Sequence, residues 1–365
     1  MKINITRKTK ELEHEVFFKL FDEFIHHSSS GIHRKKDGSR LSEGTVGNYI
    51  STRNNIQKFC DEKNFKIRLF IDCNLTQKER EKAVKYWMKF YDKFTSWMYY
   101  DQNNFDNVVG FYIKNIKVFM NYLVAEKNLM IGQYHKQFYC EKQEIPVIVL
   151  STAQLNYLIH DKAFEQSLSG KLKVIRDVFV FGCCVALRVS DLLAVTDKNI
   201  EKRENRYYLK VKSQKTSTYT SVLLPDYAVE IVKRYGKRKE KNHKTLFPPM
   251  SISYFNIQLK AMAKNIPDNR EIKKIREQRG KQVVMYKCPE KKIHYTLSNS
   301  ITTHTMRRTA ITNMLSLGMP ENVVRKISGH APNSKEFFRY VEFAQSTLDD
   351  ETEKYHNKMK ELAQK

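Results

Sequence analysis

Six side chains in the last half of this chain have types that chemistry could use: Arg188, Lys215, His304, Arg307, His330 and Tyr340. They stand in ALRVSDLLAV, SQKTSTYTSVLLP, HTMRRTAITNML and ISGHAPNSKEFFRY. Two guanidiniums, an ammonium, two imidazoles and a phenol cover what metal-free transfer of a phosphodiester demands. Equatorial oxygens must be neutralised, a leaving oxygen protonated and the phosphorus attacked in line. No single residue type here is rare, so the order and context of all six carry the reading.

Each of the six also has a plainer role. Arg188 precedes Ser190 and Asp191, which suits a structural salt bridge at a helix start. An H-x-x-R pair such as His304 and Arg307 arises readily by chance, yet on a helix that spacing puts both side chains on one face, where they could clasp one phosphate. Gly329 reads as a helix cap ahead of His330. Tyr340 is one of 20 tyrosines and sits beside Phe337 and Phe338, as a core residue would. Pro332 stops the preceding helix, and Asn333 with Glu336 has the form of a new start, so Tyr340 falls two turns along a short helix. Lys215 lies in a hairpin turn, where a lysine is ordinarily just exposed.

These residues need a scaffold and a partner. A length of 365 residues predicts two domains, and 41% hydrophobic with 29% charged residues is ordinary for a soluble globular protein. The net charge of +25, with a pI near 9.6, points to a polyanion. No apolar run approaches the roughly 18 residues of a spanning helix, and MKINITRKTKELEHE lacks a signal-peptide core. Nucleic acid is therefore favoured over a membrane surface, the duller alternative being a merely solubilising charge. The six cysteines, Cys60, Cys73, Cys140, Cys183, Cys184 and Cys288, form no C-x-x-C pair, so a reduced, cytoplasmic, nucleoid-associated protein without structural metal or cofactor is expected.

The chain divides near residue 146, with charges of +7 before residue 150 and +18 after it. The first half reads as helices over VFFKLFDEFI and TVGNYISTRNNIQKFC, then a capping box at Thr76 and Glu79 ahead of the Trp87 to Trp97 stretch. A fourth helix carries the stripe Phe105, Val108, Tyr112, Ile116, Phe119 and Leu123. SSSGIHRKKDGSR between the first two helices suits either a phosphate-touching loop or a solvated one. After Pro146, a helix from Thr152 and an apolar helix ending near Leu187 precede the only clear β signal, RYYLKVKS followed by STYTSVLLP. Helices then resume to the C-terminus, and KRYGKRKEKNHK reads as a solvated basic loop.

The four segments together resemble the catalytic boxes of the tyrosine recombinase, or phage integrase, family: L-R-x-S-[DE]-L, a lysine in a β-hairpin, H-x-x-R running into a T-x-x-x-x-x-L-x-x-G pattern, then G-H and a later tyrosine. The resemblance implies a mainly α fold with a small antiparallel sheet, in a two-domain clamp on double-stranded DNA. Its parts are an N-terminal tail (1–9), a helical core-binding domain (10–145), a catalytic domain (150–345) and a helical tail (346–365). It further implies that Arg188 and Arg307 hold the non-bridging oxygens and Lys215 protonates the departing 5′ oxygen. His304 assists proton transfer, His330 stabilises the transition state, and Tyr340 attacks to leave a 3′-phosphotyrosine.

The activity so implied is site-specific recombination, metal- and ATP-independent, by an integrase of a mobile element or a DNA invertase. Such an enzyme assembles as a tetramer on DNA, with a DNA-bending accessory protein a further candidate partner. A type IB topoisomerase-like enzyme and a non-catalytic DNA-binding protein of the same fold are the alternatives. Three positions depart from the pattern: Ala186 where glycine is usual, Ser328 in place of the common leucine, and a spacing of ten from His330 to Tyr340, one more than the commonest. Tyr355, on the amphipathic terminal helix, is the other candidate nucleophile, and that helix could dock on a neighbouring subunit or fold back on its own domain.

Overall fold

The computed structural model describes residues 9–214, 219–236 and 244–363. It is mainly helical with small antiparallel sheets, as the sequence predicts. The chain forms two compact units. Unit 1 runs to Ile145 and also takes in Ile275–Val284, whereas unit 2 holds Pro146–Lys274 and the chain from Met285 onward.

Unit 1 is built on α1 (His14–Ser30), α2 (Glu43–Glu62), α3 (Gln77–Ser96) and α4 (Asp106–Ala125), with β1 (Glu11–Leu12) paired to β2 (Leu69–Phe70). Gly31, at φ 82°, ends α1 in the left-handed conformation that glycine adopts without steric cost. The reciprocal cap of Thr76 and Glu79 starts α3, satisfying two backbone donors that would otherwise be unpaired. Aromatic rings fill the core: Phe21 stacks on Phe119 with centroids 4.1 Å apart, and Trp87 on Tyr134 at 4.9 Å. Such pairs contribute about 0.5–1.5 kcal/mol beyond their buried area.

The buried stripe of α4 differs from the predicted one in its first turns. Val109 and Ile113 join Ile116, Phe119 and Leu123 inside, while Val108 is exposed. The cause is a close approach at Gly110, where an added Cβ would lie 2.0 Å from the carbonyl oxygen of Glu141. The returning chain covers that side of α4 and selects which residues are buried.

Unit 2 begins with α5 (Thr152–His160), α6 (Lys162–Ser167) and α7 (Gly170–Val185), the last buried continuously from Ile175 to Val185. The short α8 (Val189–Leu193) leads to an antiparallel sheet of β3 (Ile200–Arg203), β4 (Arg206–Lys212) and β5 (Tyr219–Leu224), whose register pairs Leu209 with Val222 and Lys212 with Tyr219. Alternate residues of β5 are buried, as expected of a sheet covered on one face. Then follow α9 (Asp226–Gly236), α10 (Ile252–Ala263) and β6 (Glu271–Ile272); the chain passes through β7 (Lys274–Gln278) and β8 (Lys281–Met285), which fall almost wholly in unit 1, and returns at β9 (Tyr295–Thr296). The chain ends with α11 (Leu297–Ser300), α12 (Thr303–Ser316), α13 (Glu321–Ser328) and α14 (Lys335–Ala363). An ion network inside this unit is internally neutralised: Asp177 pairs with Arg176 at 2.6 Å and Arg234 at 2.7 Å, Glu165 pairs with the same two at 2.8 and 2.9 Å, and Tyr235 donates to Asp177 at 2.9 Å.

Two expectations are corrected. Strands, not only helices, follow the first sheet, because β7 and β8 form a hairpin across Arg279 and Gly280, both at positive φ (56° and 72°), the signature of a tight two-residue turn. This hairpin belongs to unit 1, where the Asp106 carboxylate accepts the backbone N–H groups of Arg279 at 2.6 Å and Gly280 at 2.9 Å. The helix bearing Tyr340 is not short: α14 continues unbroken for 29 residues, since no breaker interrupts it, and Ser334 rather than Asn333 caps its start.

Candidate active site

The site in unit 2 is assembled from the α7–α8 turn, the start of α12, the end of α13 and the first two turns of α14. At the end of α7 the chain turns through Ala186, whose φ of 54° is left-handed. This conformation accounts for the glycine usual here in the resembling family. It aims the Ala186 carbonyl at Arg307, whose Nη1 donates to it at 2.7 Å. Two residues later Arg188 caps α8 and donates from Nη1 to the Ser213 hydroxyl at 3.1 Å.

Ser213 in turn donates to Asp191 at 3.0 Å, and the other Asp191 oxygen accepts the Gln214 amide at 3.0 Å. Asp191 is 3% exposed. It ties the end of β4 to the first box, immediately before Lys215. Lys215 itself lies outside the described residues, as does most of the basic loop after α9. The role of Asp191 was missed in the sequence, although its place beside Ser190 in the first box was the available signal.

The first turn of α12 carries His304, and the next residues along that face bring in Arg307. His304 opens to solvent on one side. Partial desolvation and the Arg308 cation, with smaller effects from Arg307 and Arg188, hold its pKa below the usual value, against the opposing charge of Glu336. Arg307 is buried, at 6% exposure. Burial and the charge of Arg188 lower its pKa to about 10, so it remains a cation at neutral pH.

After α13, Gly329 at φ 63° turns the chain and places His330 beside Arg307, with Nε2 3.1 Å from Arg307 Nη2. Burial, then Arg307, Arg188 and Arg325, push the His330 pKa down to about 3. Arg325 also donates to the Pro332 carbonyl at 2.8 Å and lies 3.9 Å from the Phe337 ring centre, fixing the turn that leads into α14. On α14 the ring of Tyr340 meets His330 edge-on at 6.0 Å. Tyr340 is 3% exposed and shares a small core with Ala186, Ile311 and Phe337. Burial and Glu336 raise its pKa, whereas Arg308, which hydrogen bonds to it, and Arg307 oppose that shift. Arg308 is a second residue that sequence reasoning passed over, one position beyond the H-x-x-R pair.

Arg188, His304, Arg307, His330 and Tyr340 therefore gather in unit 2 with their charges mutually felt. The side chain of Tyr355 lies outside those described. Such a cluster of cations and a phenol can bind a tetrahedral anion and bring a nucleophilic oxygen to it. Among the described residues, no group of three or more histidines, cysteines or carboxylates is placed to hold a metal ion. No described helix is long and apolar enough to cross a membrane.

Residues 160–346 match the Phage integrase family. Among solved structures the chain is similar to the XerH site-specific recombinase bound to a palindromic difH substrate, with 13% identity over 94% of this chain and 96% of that one, at a TM-score of 0.57. It is also similar to a lambda integrase dimer bound to a COC′ core site, at 12% identity over 91% and 78% of the two chains and a TM-score of 0.55. The Tn1549 transposon integrase in complex with transposon right end DNA gives 14% identity over 88% and 93%, and a TM-score of 0.56. No curated protein sequence matches. The family match spans about half of the chain and contains all six residues picked out by their chemistry. This chain belongs to the phage integrase family.

Proposed function

We propose that this protein is a site-specific DNA recombinase that breaks and rejoins strands through a 3′-phosphotyrosine link. The observation that carries the reading is the contact of Arg307 with His330 and of His330 with Tyr340, which sets a phenol beside guanidinium and imidazole groups in one place. Arg188 and Arg307 hold the non-bridging oxygens of the scissile phosphate, and their charge offsets what builds up as the phosphorus is attacked. Tyr340 supplies the attacking oxygen. A free phenol has a pKa near 10 and burial raises that of Tyr340, so attack requires the cations of Arg307 and Arg308 and a proton acceptor. His304 serves in proton transfer, and Lys215 protonates the departing 5′ oxygen. Because the phosphodiester is stored as a protein ester, its energy is retained for rejoining.

The structural neighbours are complexes with DNA, which supports duplex DNA as the substrate here. In this reading the units correspond to a DNA-gripping domain and a catalytic domain that clamp the duplex. Four copies act together on two sites, with a DNA-bending accessory protein where the sites require one. Integration or excision of a mobile element, or inversion, is the biological role that goes with it, in the cytoplasm at the nucleoid.

Covalent trapping tests this. Wild type and Tyr340→Phe are incubated with DNA of the source cell, denatured in detergent, and the DNA left on protein is sequenced. Adducts confined to a few sites and absent from Tyr340→Phe are expected. Adducts retained in the variant would move the nucleophile, with Tyr355 next to be substituted. Relaxation of supercoils without demand for two sites would instead assign a topoisomerase activity.

A further inference from the structure

Ser328 has no part in the roles above, yet it touches one of their residues. It closes α13 and is 2% exposed. Its Oγ donates back to the Val324 carbonyl at 2.7 Å, with the Arg325 carbonyl at 3.5 Å, and lies 2.8 Å from Nδ1 of His330. A hydroxyl has one proton and two lone pairs. With the proton directed at the backbone, the oxygen can only accept from His330, so Nδ1 bears the ring hydrogen.

The Arg307 contact is compatible with this tautomer. Nη2 of Arg307 is 3.1 Å from Nε2 and 3.3 Å from Nδ1. A guanidinium only donates, and the one ring nitrogen left with a lone pair is Nε2. Because Nη2 is nearly equidistant from the two ring nitrogens, this contact accommodates the tautomer, and Ser328 alone selects it. The leucine common at this position in the family would offer Nδ1 no acceptor, and an unpaired buried N–H costs about 1–3 kcal/mol.

We infer that Ser328 is a positioning residue for the reaction: it holds the His330 ring with Nδ1–H tied to α13 and unprotonated Nε2 presented toward Arg307 and the phosphate site. The functional half of this inference rests on the recombinase reading; the tautomer does not. A consequence follows for proton balance. His330 faces Arg307 of α12, Arg188 ahead of α8 and Arg325 of α13, with Tyr340 of α14 alongside. To hydrogen bond a phosphate oxygen through Nε2 it must first take up a proton from water, which the incoming phosphate favours by offsetting those three cations. Anion binding is thereby coupled to uptake of one proton at Nε2, while Ser328 keeps its place at Nδ1.

The test uses the full chain labelled with 15N-histidine, the His330 signals being assigned by their loss in His330→Gln. At neutral pH, wild type and Ser328→Thr should show Nδ1 protonated and Nε2 bare, and Ser328→Ala should shift toward the Nε2–H form or a mixture. Ser328→Ala removes a single oxygen and leaves no bulk to accommodate, and equal thermal midpoints would confirm that it folds. An Nε2–H wild type, or an unchanged tautomer in Ser328→Ala, would overturn the inference.

The second readout is the rate of Tyr340 adduct formation against pH, on sites recovered by trapping. Ser328→Ala should be slower by about five- to tenfold, the worth of one hydrogen bond, with a displaced acid limb and unchanged DNA affinity, and Ser328→Thr should recover it. A wild-type rate in Ser328→Ala would refute the positioning role. The predicted tautomers without adducts from any variant would instead count against the recombinase reading alone.

Discussion

In unit 1, three polar contacts join partners of opposite character: Asp106 accepts two backbone N–H groups, Glu62 accepts the Trp97 indole N–H at 2.6 Å, and Thr52 accepts the Asn115 amide at 3.0 Å. At the candidate site of unit 2 the opposite holds, where burial and then the like charges of Arg307, Arg188 and Arg325 lower the pKa of His330. Elsewhere in unit 2 charges are paired, since Asp177 and Glu165 together neutralise Arg176 and Arg234. Like-charge pressure on a buried histidine also occurs in unit 1, at His135, but among the described residues only in unit 2 do three guanidiniums act on one imidazole. An anion arriving there would meet Arg307, a cation already buried and held by the Ala186 carbonyl, which is how preorganised charge lowers a barrier.

The strongest way to break this contrast is Arg307→Ala. Removing a buried cation that also holds the Ala186 carbonyl and His330 should cost about 3–4 kcal/mol of transition-state stabilisation, or 10²–10³ in adduct rate. Inorganic phosphate should protect unit 2 of wild type, but not of the variant, against hydrogen exchange, with unit 1 indifferent in both. A variant within tenfold of wild type would remove Arg307 from the phosphate site. In unit 1 the counterpart is Gly110→Ala, whose Cβ has a backbone carbonyl in its way rather than a flexible side chain. About 2 kcal/mol of destabilisation is expected, with exchange around Glu141 accelerated and adduct chemistry intact in the folded fraction. An unchanged unfolding midpoint would mean that the returning chain yields without cost.

Acid sharpens the comparison further. The pKa of His330 is about 3 in the folded protein against an ordinary 6.5, so between those values the unfolded chain binds the extra proton. Stability of unit 2 should therefore fall as pH drops from 6.5 toward 3 and be flat above. His135 in unit 1, lowered to about 4 by burial with Lys117 and Lys136, acts in the same direction. The two differ with anion present: bound phosphate should raise the His330 pKa and flatten the slope in unit 2, leaving unit 1 as it was. The measurement is urea unfolding from pH 3 to 7 with and without phosphate, and His330→Gln should lose the phosphate effect.

How much of this was legible in the sequence follows from how local each signal is. The capping box at Thr76 and Glu79 and the alternation in β4 and β5 are written within a few residues and were read. The β7–β8 hairpin was not, because Arg-Gly is a weaker turn signal than Asn-Gly or Asp-Gly and KIREQ and KQVVM do not alternate cleanly. The burial of Val109 rather than Val108 depends on a chain 32 residues away and has no local trace. In the site, residue types and order pointed to Arg188, Arg307 and His330. What Asp191 and Ser328 do depends on which nitrogen or hydroxyl faces them, and only coordinates reveal that.

The smallest predicted effect bears on what holds Arg307 in place. Ala186 at φ 54° sits where an L-residue loses about 1 kcal/mol or more, a cost glycine would not bear. Ala186→Gly gains that back, loses about 0.4–1 kcal/mol to the greater freedom of the unfolded chain, and gives up a fully buried methyl. The terms nearly cancel, so the urea midpoint of unit 2 should move by no more than about 0.5 kcal/mol, well below the loss at Gly110. The Arg307 contact is to the backbone carbonyl, so the adduct rate should not change. Ala186→Val separates conformation from side chain: a β-branched residue is an outlier at this φ and should displace the carbonyl, lowering both stability and rate. If Ala186→Gly were stable but slow, the methyl itself would be positioning Arg307, and the left-handed turn would not be the reason this site holds together.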